Sequence, residues 1–80
     1  METMTAQQAI EASINEDRIV RLHHANGGDA FVEALNTLSA ECDDNVSYVG
    51  PEEDGTYIYE YWGDQDGEEW RVHVIGPRRY

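Results

Sequence analysis

The chain has 80 residues, room for one domain spanning 1–80 and no second. Seventeen Asp and Glu face five Arg and no Lys, for a net charge of −12 and a pI near 4.2. That balance argues against direct binding to nucleic acid or to an anionic membrane, and it favours basic protein partners. Leu, Ile, Val and Phe number only 15. With this charge, so few aliphatics verge on a disordered composition. Two Trp and five Tyr restore a core, because each buries ~150–250 Å².

Other classes fall away on the same grounds. No apolar run approaches the ~20 residues of a membrane span. The first residues carry neither the basic nor the apolar region of a signal peptide. A single cysteine forms no internal disulfide, which suits a reducing cytoplasm.

In chain order, residues 1–4 read as a frayed end. Thr5 and Gln8 then form a capping box. Ala6, Ala9, Ile10, Ser13 and Ile14 fall on one face of a short helix ending near Asn15. Arg18 to His23 alternate as a first strand. Asn26-Gly27-Gly28 is a turn, and Asp29 is placed to N-cap the next helix. Phe31, Leu35, Leu38 and Cys42, widened by Ala34, make the clearest apolar stripe, over about 30–42. This helix should cover the sheet.

After Asp43-Asp44-Asn45 the period becomes two. Val46 and Tyr48 mark a strand that ends at Gly50-Pro51. Glu52-Glu53-Asp54-Gly55 reads as a charged turn, residues 56–62 as a strand, Gly63 to Gly67 as a loop, and residues 68–75 as the last strand. Pairing Tyr61 with Trp70, Glu60 with Arg71 and Val49 with Thr56 puts Val46, Tyr48, Tyr57, Tyr59, Tyr61, Trp70, Val72 and Val74 on one buried face. The fold class is therefore α+β. One or two helices pack on one face of a small antiparallel sheet, a three-stranded C-terminal meander joined by the N-terminal strand. Ser47, Ile58, Glu60, Trp62, Glu69, Arg71 and His73 are left on a wet face.

Catalytic and metal motifs are missing. His23 and His24 are neighbours on a strand and point to opposite faces, so together they make a poor ligand pair. Cys42 continues an apolar stripe, the place of an inert core thiol rather than a nucleophile. The Gly27-Gly28 turn lacks the glycine spacing and the lysine of a phosphate loop. No carboxylate sits in an apolar setting that would raise its pKa for acid–base work. The expectation is a non-enzyme with no metal or other cofactor.

The acids carry the functional signal. Glu52, Glu53 and Asp54 fill one hairpin turn; Asp64, Asp66, Glu68 and Glu69 surround the other; Glu60 lies between them. Alternate strand residues are ~6.8 Å apart, comparable with neighbouring phosphates. Such a surface suits an Arg- and Lys-lined groove. Trp62, an exposed aromatic among charges, has the character of an interface anchor.

In size, lysine-free acidity, small mixed domain and want of catalytic motifs, the chain resembles the small phage-encoded anti-CRISPR proteins. The nearest are inhibitors of type I surveillance complexes, type I-C among them. The resemblance implies a stoichiometric inhibitor, in some families a DNA mimic, that binds a Cas subunit and blocks target DNA in the bacterial cytoplasm. It assigns no individual residues. From the residues themselves, the partner-binding candidates are Glu52, Glu53, Asp54, Glu60, Trp62, Asp64, Asp66, Glu68 and Glu69, on a protein expected to be monomeric. The competing reading is a small antitoxin-like regulatory or accessory protein whose charge serves solubility.

Overall fold

The computed structural model describes residues 4–24, 26–42 and 46–78. The expected fraying of residues 1–4 falls largely outside them, as do Asp43, Asp44 and Asn45. The elements are α1 (Ala6–Glu16), β1 (Val20–His23), α2 (Asp29–Glu41), β2 (Val46–Val49), β3 (Tyr57–Gln65) and β4 (Glu68–Gly76). They build an α+β domain in which two helices pack on a four-stranded sheet of order β1-β4-β3-β2. Among the described residues no helix is long and apolar enough to cross a membrane.

The capping box at α1 is formed: the Thr5 hydroxyl accepts from Gln8 N at 3.2 Å, and Gln8 Oε1 accepts from Thr5 N at 2.9 Å. Asp17 closes the helix in the left-handed region, and Arg18 N still donates to Ser13 O. Residues 17 and 18 thus belong to the helix terminus, and β1 starts at Val20 rather than Arg18. Asp29 does not cap α2. Gly28 holds the cap position without a side-chain bond, and Asp29 is the first helical residue. There its charge still favours the positive end of the helix dipole.

The sheet is mixed rather than antiparallel. β1 lies parallel to β4, with Val20 opposite Val72 and Leu22 opposite Val74. The α2 crossover carries the chain from β1, at one edge, to β2, at the other. Both hairpins pair two residues away from the expected register: Tyr61 faces Val72, Glu60 faces His73, Tyr48 faces Tyr59 and Val49 faces Ile58. A shift of two leaves every side chain on its face, so the buried set survives. The expected Gly63–Gly67 loop is mostly strand. The chain reverses in two residues, Asp66 at φ 54° and Gly67 at φ 82°, the positive pair that a tight hairpin turn requires.

The core joins Ala9 and Ile10 of α1, Phe31, Leu35 and Leu38 of α2, Cys42, and Val20, Leu22, Tyr59, Tyr61, Trp70, Val72 and Val74 of the sheet. α1 packs on β4 and β1, α2 on β4 and β3, and neither has more than marginal contact with β2. Tyr48, expected in the core, is therefore 49% exposed. Tyr57 is half-buried.

Candidate partner-binding surfaces

The candidate acids occupy three places. Glu52, Glu53 and Asp54 are exposed in the β2–β3 turn, which Glu52 N closes onto Thr56 O at 2.8 Å. Asp54 also works inside the turn: its carboxylate accepts from Thr56 Oγ1 at 2.6 Å and from Thr56 N at 3.1 Å. These bonds hold its carboxyl below the usual aspartate value. Asp64, Asp66, Glu68 and Glu69 lie at the β3–β4 hairpin, at the opposite end of a nine-residue strand. The two groups are therefore separated by about 26 Å along the sheet. They do not form one patch.

Glu60 and Trp62 lie between them, on the sheet face opposite the helices. That face is ordered in rows. Arg21, His73, Glu60 and Ser47 are successive cross-strand neighbours, and so are Ile75, Ile58 and Val49. Arg71 is opposite Trp62, and Asp64 is opposite Glu69. Trp62 is 37% exposed. Glu60 lies 3.7 Å from His73. Burial lowers the His73 pKa, with Glu60 opposing and Arg21 adding to the effect. A shallow groove of about 350 Å³ is lined by Ile19, Glu60, Trp62, Glu69, Arg71 and His73. Its two signs of charge make it unlike an anionic array.

The hairpin end is different. The α1 terminus reaches it: Ser13 Oγ accepts from Arg71 N at 2.9 Å, and Asp17 borders the same hollow as Glu69 and Arg71. The α2 terminus reaches it too, since the Glu41 carbonyl lies 3.0 Å from where a Gly63 Cβ would stand. Glu16, Asp17 and Glu41 thus sit on helix ends at the same end of the sheet as Asp64, Asp66, Glu68 and Glu69. Neither helix has a basic residue in its last turn. The negative ends of both helix dipoles therefore add to seven carboxylates at one pole. Arg18, 2.8 Å from Glu16, and Arg71, 3.2 Å from Glu69, offset part of that charge.

Glu16, Asp17 and Glu41 were not among the sequence candidates. Their only sequence signal is that both predicted helices end in acids without a nearby lysine. Within the pole, Asp64 is partly structural, accepting from Gly67 N at 3.1 Å, and Asp66 sets the turn. Glu68 and Glu69 point from strand residues into solvent.

The remaining chemistry-bearing residues are dispersed. Cys42 is buried in the core, and its thiol donates to Ser39 O at 3.6 Å. His23 is exposed, whereas His24 is half-buried with its ring centroid 6.3 Å from that of Phe31. Among the described residues no group of three or more His, Cys, Asp or Glu is placed to hold a metal ion. Comparison with family profiles, with curated protein sequences and with solved structures finds no match to this chain.

Proposed function

We propose that this chain is a non-enzymatic acidic inhibitor that docks onto a basic nucleic-acid-binding groove of another protein and blocks it. The observation that carries this reading is that two helix C-termini, with Glu16, Asp17 and Glu41, finish at the same pole of the sheet as the four acids of the β3–β4 hairpin. Such a pole steers a basic groove toward itself, and the attraction falls as salt screens it. Following the resemblance noted above, the partner is a Cas subunit of a type I surveillance complex in the bacterial cytoplasm, and the lost activity is target-DNA binding.

The test is inhibition of target-DNA binding by a purified type I complex. Single Glu→Gln changes remove little, because exposed pairs contribute ~0–1 kcal/mol each. The informative variant joins Glu16→Gln, Glu41→Gln and Glu68→Gln, with Glu52→Gln plus Glu53→Gln as the comparison at the other end. Inhibition should weaken roughly tenfold or more for the first and less for the second, with no lowering of the melting midpoint. Equal potency of all variants would mean that the charge serves solubility, as in an antitoxin-like accessory protein.

A further inference from the structure

The two edges of the sheet are not alike. β1 is packed under α1 on one face and turns Arg21 and His23 outward on the other. Charged side chains and a covering helix are the usual guards of a sheet edge. β2 has neither. Its sequence, Val-Ser-Tyr-Val, is uncharged, and its strand partner among the described residues is β3 alone. Tyr48 at 49% and Val49 at 43% are the two most exposed large hydrophobics of the described chain. In an antiparallel edge strand every second residue aims its N–H and C=O away from the sheet.

We infer that β2 is the docking edge for an extended basic segment of a partner, which adds to the sheet as a fifth strand. This rests on the reading of the protein as a binder of basic partners, and it names the backbone surface that reading lacks. Charge chooses the occupant. Glu52, Glu53 and Asp54 follow the strand within a few residues, and Glu60 lies one strand inward, directly opposite Ser47. A second copy of a chain carrying −12 would bring like charges onto this edge. A basic strand brings opposite ones.

The pleat also sets a pattern for the incoming segment. On the helix side its residues meet Val46 and Tyr48, whose ring stands edge-on to Tyr59 with centroids 5.3 Å apart. On the open side they meet Ser47, a side chain small enough to leave a lane toward Glu60. The segment therefore alternates apolar residues with Arg or Lys, the basic ones passing over Ser47.

The probe is a capped peptide of alternating arginine and valine, long enough to span β2. The control has the same composition with its arginines in one block and its valines in another. Binding is followed through the backbone amide resonances of the whole protein, with sedimentation at several protein concentrations. The alternating peptide should bind saturably, shift the amides of Val46–Val49 and slow their hydrogen exchange. The blocked control should bind roughly tenfold more weakly. Ser47→Lys and Val49→Lys should each weaken the alternating peptide by a similar factor without changing the melting midpoint. Equal binding of the two peptides, shifts confined to the β3–β4 hairpin, or indifference to both lysine variants would overturn the inference. So would self-association that the lysine variants abolish, since the occupant would then be a second copy. The Glu16/Glu41/Glu68 variant separates the two ideas. If it fails to inhibit target-DNA binding while the peptide results are negative, the acidic pole stands and only the edge falls.

Discussion

Gly63 shows how much one position decides. It is buried in β3 directly opposite Trp70, and a Cβ there would stand 2.8 Å from Trp70 Cζ2 and 3.0 Å from the Glu41 carbonyl. The glycine lets the indole lie flat against the strand, and lets α2 end close above it. Gly63→Ala should cost about 1–3 kcal/mol through displacement of the ring, read as a lower thermal midpoint. His24 is a second case. Its Nε2 is buried without a hydrogen-bond partner among the described residues. Burial, and then the nearby His23, hold its pKa below the usual 6.5. The fold thus favours the neutral imidazole more than the unfolded chain does, and the unfolded chain takes up the proton first. The associated stability is fully present above about pH 6.5 and is lost as pH falls from there toward the folded-state pKa. His73, also lowered, acts in the same direction. Melting followed from pH 7.5 to 5 should fall, and more shallowly for His24→Phe; an unchanged slope would remove His24 as a cause.

At the scale of elements, the joint between α1 and β4 is made by Ser13. Its hydroxyl donates to Arg18 O at 2.8 Å and accepts from Arg71 N at 2.9 Å. It meets β4 just beyond the point where β1 stops pairing, at Val20 opposite Val72. Ser13→Ala leaves that N–H and that carbonyl without this partner and should cost about 1–3 kcal/mol. Leu35→Ala should cost about 2–5 kcal/mol, because Leu35 is 1% exposed beneath the sheet. Chemical denaturation checks both. An unchanged midpoint for Ser13→Ala would mean that water replaces the joint. The elements were largely legible beforehand: the capping box, the Phe31–Cys42 stripe and the alternation of β3 and β4 are local patterns. The hairpin registers were not. Shifts of two satisfy the same alternation, and the Asp66-Gly67 turn, with Gly63 left inside the strand, decides between them.

For the whole molecule the governing quantity is charge. A net −12 on 80 residues repels itself, most strongly at the hairpin pole. Raising ionic strength from about 0.01 M to about 1 M shortens the screening length from ~30 Å to ~3 Å. The melting midpoint should therefore rise over that range. Inhibition of a basic partner should fall over it. A midpoint indifferent to salt would show that the acids are spaced widely enough not to repel.

Sequence alone determined the composition of this surface, the two helices, the strands and which side chains turn inward, because each depends on spacing along the chain. It also supplied the charged turn at Glu52–Asp54 and the acids around the second hairpin, though not that Asp64, Glu68 and Glu69 are strand residues. Only the tertiary structure decided which charges meet. Whether Glu16, Asp17 and Glu41 lie at the hairpin end of the sheet depends on β1 entering the sheet parallel to β4, which aims both helix C-termini at that end. Whether Tyr48 is core or surface depends on where two helices lie across four strands, and two helices do not span the width of this sheet. Neither relation repeats along the chain, so no local pattern encodes it; packing between distant segments does.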